Sequence, residues 1–175
     1  KRNYRRGIKP PVSGTFANEF FMNSMGCPIR AEIWAMICPG RPEKGIELAY
    51  RDGCLDHGEE SIYAEQYITA LESFSFLSQD RLELIKKAME YIPETSRIYY
   101  VISDVSGAFE KGAELEKVMD YLETEYGDVD CSISFYNIGV IALALLYGNG
   151  EFEKTITLAV NCGYDTDCTA ATLGA

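Results

Sequence analysis

The chain has 175 residues, 47% of them hydrophobic and 25% charged, a balance that suits one domain with a buried core and excludes a disordered segment. Its net charge of −11 excludes nucleic-acid backbone binding, which needs clustered Lys and Arg; the one basic cluster, Lys1, Arg2, Arg5, Arg6 and Lys9, reads as a solvated segment. No apolar run reaches bilayer-spanning length and no signal peptide opens the sequence, so a cytoplasmic protein without membrane contact is expected.

Through Phe21 the chain carries Gly7, Pro10, Pro11, Ser13 and Gly14, which predicts an extended loop. Pro28 suits a first helical turn, and Ile29, Ile33, Trp34 and Ile37 follow at helical spacing until Cys38-Pro39-Gly40. Pro42 begins the next helix, with Ile46, Leu48, Ala49 and Leu55 as its apolar positions before Asp56-His57-Gly58. From Glu59 a long stripe runs through Tyr63, Tyr67, Ala70, Leu71, Phe74 and Leu77. Ser78 is the expected cap of a shorter helix facing inward through Leu82, Ile85, Met89 and Ile92.

Ile98-Tyr-Tyr-Val-Ile102 has strand propensity, but Val105 and Phe109 keep the helical period, so a helix is predicted. Leu115, Val118, Met119, Leu122 and Tyr126 form another stripe, ended by Gly127. Ser132 to Tyr147 is apolar nearly all round, the mark of a central buried helix, and Gly148-Asn149-Gly150 breaks it. Phe152, Ile156, Ala159 and Val160 make a last helix. About eight helices with short connections and no convincing strand predict an all-α multi-helix bundle forming a single domain over residues 1–175. The six cysteines are scattered and are expected as free thiols.

The chemistry is expected in the last fifteen residues. Asp165 and Asp167 stand two apart, behind Gly163 and ahead of the small-residue run Thr169-Ala170-Ala171. Two carboxylates in one short loop can converge on a hard cation, with Thr166 or Thr169 adding a neutral oxygen. The same Asp-Thr-Asp is also an ordinary helix N-cap, in which a side-chain oxygen accepts the first free backbone N–H groups. An EF-hand would need Gly where Ala170 stands.

The string Asn161-Cys-Gly-Tyr-Asp-Thr-Asp-Cys-Thr-Ala-Ala-Thr-Leu-Gly-Ala175 resembles the C-terminal signature of the ADP-ribosylglycohydrolase family, roughly Asn-x-Gly-Gly-Asp-Thr-Asp-Thr followed by x-Ala-Ala-x-x-Gly-Ala. The stretch from Gly26 to Gly40 and the step from Pro42 to His57-Gly58 resemble the family in the same order. The resemblance implies an all-α fold with two divalent cations, Mg²⁺ or Mn²⁺, that bind an ADP-ribose moiety and support hydrolysis of its glycosidic link. Substrates would be ADP-ribosylated proteins or small molecules, or related nucleosides.

It further implies that Asp165 and Asp167 are metal ligands and that His57 lies at the substrate cleft. Tyr164 replaces the family's second glycine and offers a ring for substrate stacking. Cys168 replaces a threonine ligand; a thiol suits Mn²⁺ better than hard Mg²⁺. Glu59, Glu60 and Glu65 near His57 are candidates for the general base. The family's N-terminal Thr-Asp-Asp-Thr type motif is missing from the sequence, which therefore reads as the C-terminal part of a larger domain, inactive alone and prone to self-association through apolar surface. The alternative is a non-catalytic helical module that binds ADP-ribose or a protein partner.

Overall fold

The computed structural model describes residues 2–175, which form eleven α-helices and no strand. The chain runs α1 (Arg2–Arg5), α2 (Val12–Thr15), a 3-10 turn (Pro28–Arg30), α3 (Ala31–Met36), α4 (Pro42–Gly53) and α5 (Glu59–Ser75). It continues through α6 (Arg81–Met89), α7 (Arg97–Glu110), α8 (Leu115–Tyr126), α9 (Ser134–Tyr147), α10 (Phe152–Asn161) and α11 (Thr166–Gly174). None of the described helices is long and apolar enough to cross a membrane.

The apolar run that predicts a central helix becomes α9, in which only Leu145 and Tyr147 escape full burial. Helices α5, α6, α7, α8, α10 and α11 all pack on it. A Cβ at Gly139 would meet Val101 Cγ2 at 2.6 Å and Leu122 Cδ2 at 2.9 Å, so the missing side chain is what lets α7 and α8 close on α9 together. Tyr67, Ile85, Ile102, Leu122, Ile138 and Leu143 are among the fully buried side chains. Each of the aliphatic ones contributes about 1.5–3 kcal/mol relative to exposure. Helix α5 is the second axis, packed on α3, α4, α6 and α7.

Several expectations change. The N-terminal segment is not wholly extended, because tertiary bonds close short turns in it. Ser13 Oγ donates to the Leu55 carbonyl, and Asn18 Nδ2 to the carbonyls of Gly14 and Asp56. Gly14 lies so close to the His57 backbone that a Cβ would overlap it. The predicted stripe of α3 faces outward: Ile29, Ile33 and Ile37 are exposed, while Ala31 and Ala35 are buried, since small side chains permit the close approach to α5. Leu55 and Leu77 lie beyond the ends of their helices and are exposed. Asp80, not Ser78, caps α6 by accepting from Glu83 N at 3.1 Å; Ser78 instead accepts from Asp80 N. All six cysteines are free.

Candidate metal centre

The C-terminal loop is built by two left-handed residues and one buried amide. Helix α10 ends at Asn161, and Gly163 (φ +77°) and Tyr164 (φ +61°) then turn the chain sharply into α11. A tyrosine at positive φ carries about 1–2 kcal/mol of steric cost, and the ring's contacts hold it there. Tyr164 stacks on Tyr136 of α9 with ring centroids 3.8 Å apart. Its hydroxyl accepts from Asp128 N at 3.0 Å and donates to Glu123 Oε1 at 3.3 Å. One face and the polar tip of the ring expected to stack on substrate are thus engaged within the protein.

Asp165 occupies the N-cap position of α11, yet its side chain makes no capping bond. Its backbone N–H donates to Asn137 Oδ1 of α9 at 3.1 Å. The Cys168 N–H at the third helical position nevertheless favours its charged form, so the position can serve a cap as well as a cation. One oxygen each from Asp165 and Asp167 and the Cys168 sulfur lie within 4.8 Å of one another. This is the one such convergence of three acidic, cysteine or histidine side chains among the described residues.

Burial raises the Asp165 carboxyl above its ordinary value; the Cys168 thiol beside it opposes this, and the Asp167 charge reinforces it. Cys168 is pushed up to about 12, first by burial and then by Asp165, Asp167 and Glu32. Among the described residues, no Lys or Arg pairs with either aspartate. Thr166 opens α11, half-buried beside the cluster. Thr169, the other candidate oxygen, is fully buried and donates to the Thr166 carbonyl.

The donor chemistry fits one divalent ion. Two hard carboxylate oxygens suit Mg²⁺ or Mn²⁺, with water completing the shell. The thiol joins only if an ion displaces its proton. No second group of this kind converges among the described residues to hold another ion.

His57 is not part of this cluster. It is buried, with Nδ1 2.7 Å from Asp56 Oδ1 and Nε2 3.2 Å from Ser24 Oγ. Burial lowers its pKa although Asp56 opposes the shift, so the ring is neutral near pH 7, with Nδ1 donating to Asp56 and Nε2 accepting from Ser24. Arg30 pairs with Asp52 and Asp56 on the other side. This Ser24–His57–Asp56 row, which sequence reading missed, has the order of a nucleophile, base and carboxylate. Its context is structural: Ser24 is itself buried and paired in a β-bridge with Ile133. Its neighbouring amides are also committed, Ser24 N to Phe21 O and Met25 N to Ser132 O, leaving neither to stabilise an oxyanion. His57 also walls a pocket of about 310 Å³ with Tyr50, Glu59 and Tyr63.

The three general-base candidates separate. Glu60 caps α7, accepting from Arg97 N and Ile98 N at 3.1 Å each. Glu59 lines the pocket beside His57. Glu65 is fully buried, accepting from Cys27 Sγ at 2.8 Å and Trp34 Nε1 at 3.2 Å, and burial raises its pKa to about 8. None of them belongs to the aspartate cluster.

Among known proteins, the family model described as ADP-ribosylglycohydrolase matches residues 2–175. No curated protein and no solved structure matches the chain.

Proposed function

The chain belongs to the ADP-ribosylglycohydrolase family, and on that premise we propose that it serves metal-assisted hydrolysis of the glycosidic link in an ADP-ribosyl or related nucleoside substrate. The observation that carries this reading is the convergence of Asp165, Asp167 and Cys168 without a cationic partner among the described residues. Family membership supports a hydrolase, and the family is generally metal-dependent. The choice of Mg²⁺ or Mn²⁺ is part of the proposal.

Asp165 and Asp167 would hold the cation, with Thr166 and Cys168 as its neighbours. When bound, such an ion polarises the departing bond and orients ribose hydroxyls and water. The chain itself supplies a fixed pair of oxygens on a loop pinned to α9, since a ligand held before binding loses less freedom when it binds. His57, as a wall of its pocket with Tyr50 and Tyr63, would meet a bound group through its ring edge, its nitrogens being engaged already.

A second reading is favoured by one observation: among the described residues a single three-ligand group converges, and a dinuclear centre needs more. In that reading the protein binds an ADP-ribosyl group without turning it over. Calorimetry with Mn²⁺ tests the ligand assignment; wild type should bind and Asp165→Asn should lose at least tenfold in affinity, as expected when one of few charged ligands is removed. Equal affinity in the two proteins removes Asp165 from the site. Release of ADP-ribose from ADP-ribosylated arginine or serine peptides then separates hydrolysis from binding alone.

A further inference from the structure

We infer that Asn137 is a positioning residue for the metal centre, setting where Asp165 stands; this rests on the reading of Asp165 as a ligand. Asn137 lies in α9, the most apolar helix of the protein, and is fully buried. A leucine would fill such a place at no polar cost, so an amide there needs partners. It has three. Nδ2 donates to the Cys131 carbonyl at 2.9 Å and to the Ile133 carbonyl at 2.8 Å, and Oδ1 accepts from Asp165 N at 3.1 Å.

These partners also fix which way the amide points. Rotating it by half a turn would set Oδ1 against two carbonyl oxygens and the NH₂ against an N–H. Both ends of the group are therefore committed: the donor end to the segment that leads into α9, the acceptor end to the aspartate loop. That leading segment is itself held, by Met25 N donating to Ser132 O at 2.7 Å and Ser134 N to Asn23 O at 2.8 Å. The next amide bond of the loop lies beyond Asp165, where Thr169 N donates to Asp165 O inside α11. Between Gly163 and α11 the Tyr164 side chain anchors the segment through its ring, and the Asn137 bond ties the backbone itself to the core, at the residue whose carboxylate enters the cluster. The chain turns here through two left-handed residues, so losing that tie would let the carboxylate swing away from Asp167 and Cys168.

The test uses metal-free protein and Mn²⁺ alone. In Asn137→Ala, amide hydrogen exchange at Asp165 should rise at least tenfold while amides in mid-α5 keep their rates. The Mn²⁺ dissociation constant should rise roughly 10-fold to 100-fold, the range seen when a group that orients a ligand is removed. Gly139→Ala, which disturbs the same helix two residues on, should lower the melting temperature and leave Mn²⁺ affinity unchanged; a comparable loss of affinity there would make the Asn137 effect general and overturn the inference. Should Asn137→Ala not fold, the near-isosteric Asn137→Leu fills the volume without the acceptor, and exchange at the Asp165 amide should rise in it as well; an amide that stays protected there overturns the inference.

The two readings fail separately. If wild type and Asp165→Asn bind Mn²⁺ alike, the ligand assignment falls and takes the positioning role with it. If they differ but Asn137→Ala matches wild type, only the positioning role falls.

Discussion

Glu65 offers a sharp test of how this fold handles charge. It stands in α5, fully buried, with its oxygens on the Cys27 thiol and the Trp34 indole. Burial raises its pKa from an ordinary 4.5 to about 8; Asp52 adds to the shift, and the two hydrogen bonds and Arg30 oppose it. A carboxyl whose folded pKa exceeds its unfolded value is favoured in the fold only while it is protonated. Its penalty is absent below the unfolded value, grows through the interval between the two values, and is complete above about 8. Stability should fall with rising pH at up to about 1.4 kcal/mol per unit across that interval. Glu65→Gln keeps the shape and an acceptor for Trp34 but cannot ionise. Urea unfolding of both proteins at pH 5 and pH 8 should show the variant gaining on wild type by about 3 kcal/mol between those conditions. Trp34, the single tryptophan, provides a local reading: its emission should titrate with a midpoint near 8 in wild type and stay flat in Glu65→Gln. A stability difference that does not change with pH, together with flat Trp34 emission in wild type, would refute the reasoning.

Tyr164→Gly should relieve about 1–2 kcal/mol of left-handed strain. It should forfeit about 0.5–1.5 kcal/mol of stacking on Tyr136, and also the ring's burial, its two hydroxyl bonds and some unfolded-state restriction, for a net loss of about 1 kcal/mol. A more stable variant in urea unfolding would mean that the ring contributes less than its strain. Ser96 begins α7 by accepting from Tyr99 N at 3.1 Å while donating to the Pro93 carbonyl, and it is buried. Ser96→Ala should lower stability by about 1–2 kcal/mol, and an unchanged denaturation midpoint would deny the cap that value.

Periodicity carried α4 through α9 because each has at least two turns of one-sided apolar spacing or is apolar throughout, whereas in α10 the predicted Phe152 and Val160 are exposed and Thr155 and Ala159 face inward. It failed on α3, whose six residues are too few to show which face is inward; Ala31 and Ala35 face the core because small side chains admit α5, while the bulkier Ile33 is left in solvent. The turns of the first sixteen residues were not legible at all. Their composition is that of a loop, and what folds them is contact with Leu55 and Asp56, some forty positions away. At α6 both Ser78 and Asp80 are plausible caps on type; the start of the helix at Arg81 places Asp80 next to it.

Of the site, the Asp165–Asp167 pair was legible from spacing, but the buried tie behind it was not, since a cap and a ligand pair share that pattern in sequence. The tie from Asn137 spans 28 residues, beyond any local spacing rule. A signal for it did exist, of a different kind. An amide in the middle of an otherwise apolar helix cannot be left without partners, so its presence announces a contact even where the sequence is silent about which one. Glu65 in α5 obeys the same rule. These two side chains interrupt the two helices on which the others pack, and each holds a neighbouring segment: Glu65 the Cys27–Trp34 region, which meets α11 where Thr172 donates to Glu32, and Asn137 the aspartate loop. The segment between Asn23 and Met25 joins the two, through Ser24 to His57 and through the backbone of residues 132–134 to the start of α9. Loosening that segment should therefore reach Asp165 through Asn137, read as faster amide exchange at Asp165.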